Sequence, residues 1–179
     1  MGRVRTVTMN VHGVRAAARK GLSALLAALD ADLVCLQETR AFASQVPPLL
    51  EGYRAHWQAA ERAGYHGVGV LIREDGPFGR ATVADGLGVP AVDAEGRLQH
   101  VRLGELSVLN VYVPSGTTGD ARQAVKMDVL WRLTELVDRL LAEGRELVLV
   151  GDLTCAPRLL SRTGDAMART PPARCGPVR

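Results

Sequence analysis

Ala31-Asp32-Leu33-Val34-Cys35-Leu36-Gln37-Glu38-Thr39 is apolar from Leu33 to Leu36 and turns polar at Gln37. A short apolar run bounded by polar residues reads as a buried strand. Apolar on every residue, it suits a strand covered on both faces, as in parallel sheets flanked by helices. Glu38 falls where such a strand would emerge, at the carboxyl edge of a sheet. Open α/β sheets bind their ligands at that edge. A carboxylate fixed there is well placed to hold a divalent cation.

Working outward, the same design recurs. Val4 to Asn10 predicts a first strand, and His12-Gly13 a turn. Leu22, Leu25, Leu26 and Leu29 form one apolar stripe, which predicts a helix over 16–29 weakened at Gly21. This strand–helix–strand unit brings Asn10 and Glu38 to one sheet edge if the two strands run parallel. Tyr53 to Trp57 and Gly67 to Ile72 read as strands, and Asp93 to Arg97 as a hairpin turn before His100. Residues 80–92 are poorly patterned. Ser107 to Val113 is a β-prone run ending in Asn110-Val111-Tyr112-Val113-Pro114. Val125, Val129, Leu133, Leu136 and Leu140 predict a long helix over 121–143, stopped by Gly144. Glu146 to Val150 is a last buried strand, leading into Gly151-Asp152. Strand ends thus carry Asn10, Glu38, Tyr112 and Asp152.

Six stretches in order, MNVHGVRA, LQETR, GYHGVGV, DAEGR, NVYVP and GDLT, span residues 9–154. Together they resemble the exonuclease III and abasic-site endonuclease branch of the endonuclease/exonuclease/phosphatase superfamily. The resemblance implies an α/β (α+β) DNase I-like fold: a partial four-layer sandwich of two mixed sheets flanked by helices, its second sheet incomplete. It also implies a metal-dependent DNA phosphodiesterase acting on double-stranded DNA at abasic sites or 3′ ends in repair. On the matching positions, Glu38 would be a metal ligand and Asn10 would help order metal and phosphate. The Tyr112 hydroxyl would point at the phosphate, and Asp152 would position or activate the attacking water. The implied cation is magnesium (Mg2+), with manganese (Mn2+) as its substitute. Magnesium suits the chemistry because it takes oxygen ligands and is commonly held by one or two carboxylates plus water and substrate. Arg15, Arg40 and Lys126 are candidate DNA contacts, where cations neutralise phosphates without reading sequence.

The departures point the other way. His12 stands where the family has a second asparagine, and Thr154 stands where GDFN has its last asparagine. Losing one donor to a developing oxyanion costs roughly a hundredfold or more in rate. The resemblance also implies a late aspartate and a phosphate-binding histidine, whereas the four histidines are His12, His56, His66 and His100. A catalytically inactive, truncated remnant that keeps the fold and DNA contact is therefore the competing expectation. Residues 1–157 are expected to form the domain and 158–179 an irregular tail.

Bulk properties agree with both. The 179 residues suit one domain, and 47% hydrophobic content supports a real core. A net charge of +3 permits contact with a polyanion without demanding it. Cys35, Cys155 and Cys175 show no metal-ligand spacing, which fits a reducing cytoplasm. No apolar run approaches the roughly 18 residues of a membrane span.

Overall fold

The computed structural model describes residues 4–115 and 120–153. Thr154, Cys155, Cys175 and the tail lie outside the described residues. Two four-stranded sheets face each other, each bearing helices on its outer side.

The first sheet is built on the opening stretch. Strand β2 (Leu33–Gln37) is buried along its whole length. It pairs in parallel with β1 (Thr6–Asn10), placing Asn10 opposite Gln37. The intervening residues 14–29 do not form one helix. Gly21 sits at φ +95° and divides them into α1 (Val14–Arg19) and α2 (Leu22–Leu29). Glycine reaches that conformation without a Cβ penalty, so what reads as a weak point is a break. Of the predicted stripe, Leu22 and Leu26 face the sheet, whereas Leu25 is exposed. The sheet is completed by β4 (Val68–Arg73), antiparallel to β2, and β3 (Tyr53–Gln58), in the order β1-β2-β4-β3.

The second sheet runs β5 (Thr82–Asp85), β6 (Leu98–Leu103), β7 (Leu106–Tyr112) and β8 (Glu146–Asp152). Strand β5 arises in the stretch that sequence patterning leaves unread, because its edge position exposes three of its four residues. The hairpin turn expected at 93–97 is corrected to the end of a longer connection holding one helical turn, α3 (Pro90–Asp93). Asp93 closes that connection by accepting from the Leu87 N–H at 2.6 Å. Helix α4 (Asp120–Ala142) crosses back over the sheet, so β7 and β8 are parallel.

Strand alternation sorts the core into three layers. Val34, Leu36 and Leu71 meet α1 and α2 on the outside. Leu33, Cys35, Val70 and Ile72 meet Val101 and Val108 between the sheets. Leu109 and Val111 meet Leu133, Leu136 and Leu140 of α4. Each fully buried aliphatic side chain contributes about 1.5–3 kcal/mol. Between the sheets the alternation also buries two amides. Gln37 donates to Asn110 Oδ1 at 2.7 Å, and Asn110 donates to the carbonyls of Leu36 and Gly69 at 3.3 and 3.2 Å. This clamp ties β2 and β4 to β7 directly beneath the edge where the polar residues emerge.

Candidate active site

Strands β1, β2, β7 and β8 all end at this one edge. Above the Gln37–Asn110 clamp, Asn10 joins the two sheets by donating from Nδ2 to Asp152 Oδ2 at 2.7 Å, across 142 positions of sequence. The His12 N–H donates to Asn10 Oδ1 at 3.0 Å and so fixes the amide's orientation. Tyr112 lies opposite Asp152 in the β7–β8 register, and the Val113 N–H donates to the Asp152 carbonyl at 3.0 Å. The structure therefore gathers Asn10, Glu38, Tyr112 and Asp152. A cleft of about 420 Å³, lined by Thr8, Asn10, His12, Gln37, Gly151 and Asp152, opens beside Asn10 and Asp152; Glu38 and Tyr112 are not part of its lining.

The backbone around the cleft is unusual. Apart from Asp30, every described non-glycine residue with positive φ is here: His12, Glu38, Arg40 and His66. Such conformations cost roughly 1–3 kcal/mol each and persist only where surroundings over-determine them. Here the 38–40 segment is bonded on both sides. The Gly13 and Val14 N–H groups donate to the Glu38 and Thr39 carbonyls at 2.8 and 2.9 Å. The Thr39 and Arg40 N–H groups donate to the Gly67 and His66 carbonyls at 3.1 and 2.8 Å. At the far strand, Gly151 sits at φ +134°, where a Cβ would lie 1.9 Å from the Val111 carbonyl oxygen. That close approach sets Asp152 beside Tyr112.

Glu38 is only 7% exposed yet ionised. Partial burial pushes its carboxyl up, but Arg40, Asn10 and His12 together outweigh that and hold it below the ordinary range. Arg40 pairs with Oε1, and His12 Nδ1 lies 3.1 Å from Oε2. Tyr112 is pushed up by burial and by the Glu38 charge, so its hydroxyl keeps its proton at neutral pH. Burial and the Arg97 charge push His66 down to about 4, leaving it neutral.

Arg15 is exposed near the start of α1. Lys126 is half-buried one helical turn beyond Arg122 on α4. Sequence reading assigns no part to His66, Arg97, Glu95 or Arg122, although GYHGVGV and DAEGR contain three of them. Arg97, 2% exposed, lies 4.8 Å from the Tyr112 ring centroid, pairs with Glu95 and donates to the Tyr112 carbonyl at 3.0 Å. Arg122 holds the other Glu95 oxygen at 2.9 Å. A buried charge with no apolar alternation to mark it leaves only the motif as a signal.

The donor set fits a hard divalent cation. Glu38 and Asp152 supply carboxylate oxygens and Asn10 an amide oxygen, the ligand types magnesium takes. Among the described residues no cluster of three or more His, Cys, Asp or Glu could hold a metal ion, so water and substrate would have to complete the shell of a cation here.

A two-sheet, four-layer sandwich of this kind, with Asn, Glu, Tyr and Asp at the ends of its paired sheets, is a DNase I-like fold. The endonuclease/exonuclease/phosphatase family profile matches residues 7–169. The chain belongs to that family. It is 32% identical over 154 residues to the exodeoxyribonuclease of Bacillus subtilis (strain 168), covering 86% of this chain and 59% of that one. The Xenopus laevis APE2 catalytic domain superposes with a TM-score of 0.71 at 25% identity, over 92% of this chain and 62% of that one. An Archaeoglobus fulgidus AP endonuclease shares the fold, with a TM-score of 0.73 at 24% identity over 87% and 59% of the two chains. The chain thus spans about three fifths of the B. subtilis relative's length.

Proposed function

We propose that the chain hydrolyses phosphodiester bonds in double-stranded DNA, at abasic sites or 3′ ends, with magnesium or manganese bound at Glu38. The observation that carries this reading is the Asn10–Asp152 bond, which sets both sheets' polar strand ends around one cleft beside an ionised Glu38. Glu38 and Asn10 would hold the cation. The ion would neutralise phosphate charge and lower the pKa of a bound water. Asp152, oriented by the Asn10 amide, would accept a proton from the attacking water. Tyr112 would donate its hydroxyl to a phosphate oxygen. Arg15 and Lys126 would neutralise flanking phosphates, and Arg40 would join them once the cation takes over Glu38. The work belongs to DNA repair, and the compartment proposed is the cytoplasm, in keeping with the free thiol of buried Cys35.

One observation favours a second reading, a non-catalytic chain that retains the fold and DNA contact. The Arg40 guanidinium already pairs with Glu38 and the His12 ring lies against it, so an entering cation must displace them. Cleavage of a duplex bearing one abasic site separates the two. The purified chain should cut with magnesium and not with EDTA, and Glu38→Ala prepared identically should not cut. Equal cutting by wild type and Glu38→Ala would be contamination and would leave the non-catalytic reading standing.

A further inference from the structure

We propose that His66 is a phosphate-contacting residue of this site, with Arg97 as the positioning residue that fixes its proton on Nε2. The inference rests on the nuclease reading above. Arg97 Nη2 lies 3.3 Å from His66 Nδ1. A guanidinium has only donors and no acceptor, so Nδ1 must offer its lone pair and the ring proton must sit on Nε2. Hydrogen bonds among the described residues use Nδ1 alone. Arg97 itself cannot swing away: Glu95, the Tyr112 carbonyl and the Tyr112 ring hold it, and Arg122 braces Glu95. The imidazole stands half-buried between Tyr65 and Tyr112, with ring centroids 5.9 Å from each. Its carbonyl accepts from the Arg40 N–H, which anchors the ring's backbone to the segment carrying Glu38. Nε2–H and the Tyr112 hydroxyl then form a pair of neutral donors beside one phosphate oxygen. Neutral donors strengthen as charge builds on that oxygen and do not compete with the cation for Glu38.

Two measurements test this. In the first, protein labelled with 15N-histidine is observed at neutral pH before and after adding a duplex with a tetrahydrofuran abasic analogue. The expected result is an Nε2–H tautomer whose Nε2 resonance shifts with the duplex. An Nδ1–H tautomer, or an Nε2 resonance the duplex leaves unmoved, overturns the proposal. In the second, cleavage kinetics compare wild type, His66→Ala and His66→Gln. Loss of the donor should lower kcat about a hundredfold in His66→Ala. The Gln amide places an N–H near the Nε2 position and should recover at least about tenfold of that, as a hydrogen bond of roughly 1.4 kcal/mol would. Equal losses in both variants, or none in either, count against His66. If wild type itself is inert, the nuclease reading fails and the resonance experiment alone decides whether His66 meets phosphate.

Discussion

Glu38 is buried against the Arg40 guanidinium and the His12 imidazole, and the carboxylate and the arginine each make a distinct expectation. Glu38→Gln keeps the shape and removes the charge, so magnesium-dependent cleavage should fall at least about a hundredfold while the fold survives, as circular dichroism would report. Arg40→Ala removes a competitor for the carboxylate. It should tighten magnesium binding, read by isothermal titration, even if duplex affinity drops. Asn110 makes the opposite kind of expectation. Replacing it with Leu takes one acceptor from the Gln37 amide, which keeps Thr8 Oγ1 and the Cys35 carbonyl, and deprives the Leu36 and Gly69 carbonyls of their Asn110 donor. Each unsatisfied buried group costs about 1–3 kcal/mol, so the thermal midpoint should fall by several degrees without a change in cleft chemistry. Residues at strand ends were legible in the sequence because a polar side chain closing an apolar run is a visible break in pattern. Asn110 and Gln37 were not legible as a clamp. They sit inside the runs, and only the facing of two sheets shows that both amides point inward. Arg97 was quoted within DAEGR, yet a buried guanidinium beneath a tyrosine has no periodicity that could announce it.

Elements were read best where burial on both faces made composition unambiguous. Strand β2 and the α4 stripe from Val129 to Leu140 fall where patterning puts them, whereas Val125 is exposed. The error at α1–α2 comes from treating Gly21 as a cost within a helix, when its left-handed φ makes it the break itself. The two views predict opposite outcomes for Gly21→Ala. In a continuous helix the change would stabilise by roughly 1 kcal/mol. At φ +95° with open space around the Cβ, it should instead destabilise by about 1–2 kcal/mol, measured by urea melting. Gly151→Ala tests the β7–β8 edge. Its Cβ cannot fit beside the Val111 carbonyl, so β8 must shift and carry Asp152 away from Asn10. Cleavage should fall more steeply than stability in that variant, since a displacement of about 1 Å at a reacting group can cost a hundredfold.

At the scale of the whole molecule, the layered core holds the two sheets as one body, and charge buried within it links stability to pH. His66 beside the cleft and His100 in the second sheet are both pushed down to about 4, by burial first and by neighbouring arginines next. His100 accepts at Nδ1 from Arg102 at 3.1 Å and faces Ser107 Oγ at 2.9 Å, which in turn accepts from Arg145 at 2.5 Å. Its lone pair therefore points at a guanidinium and not at the serine, so this buried Ser–His pair has the wrong tautomer for a general base. Protonation would set a third cation among Arg102 and Arg145. In the unfolded chain both histidines titrate near about 6.5. Below that pH the unfolded state binds protons that the folded state refuses, so stability falls as pH drops and the loss is complete only below about 4. The thermal midpoint should be level from about pH 7 upward and decline steadily between about 6.5 and 4. His100→Asn, which cannot take up a proton, should flatten part of that decline while lowering the neutral-pH midpoint. A midpoint that stays level across this window would mean that His100 and His66 reach water in the folded state.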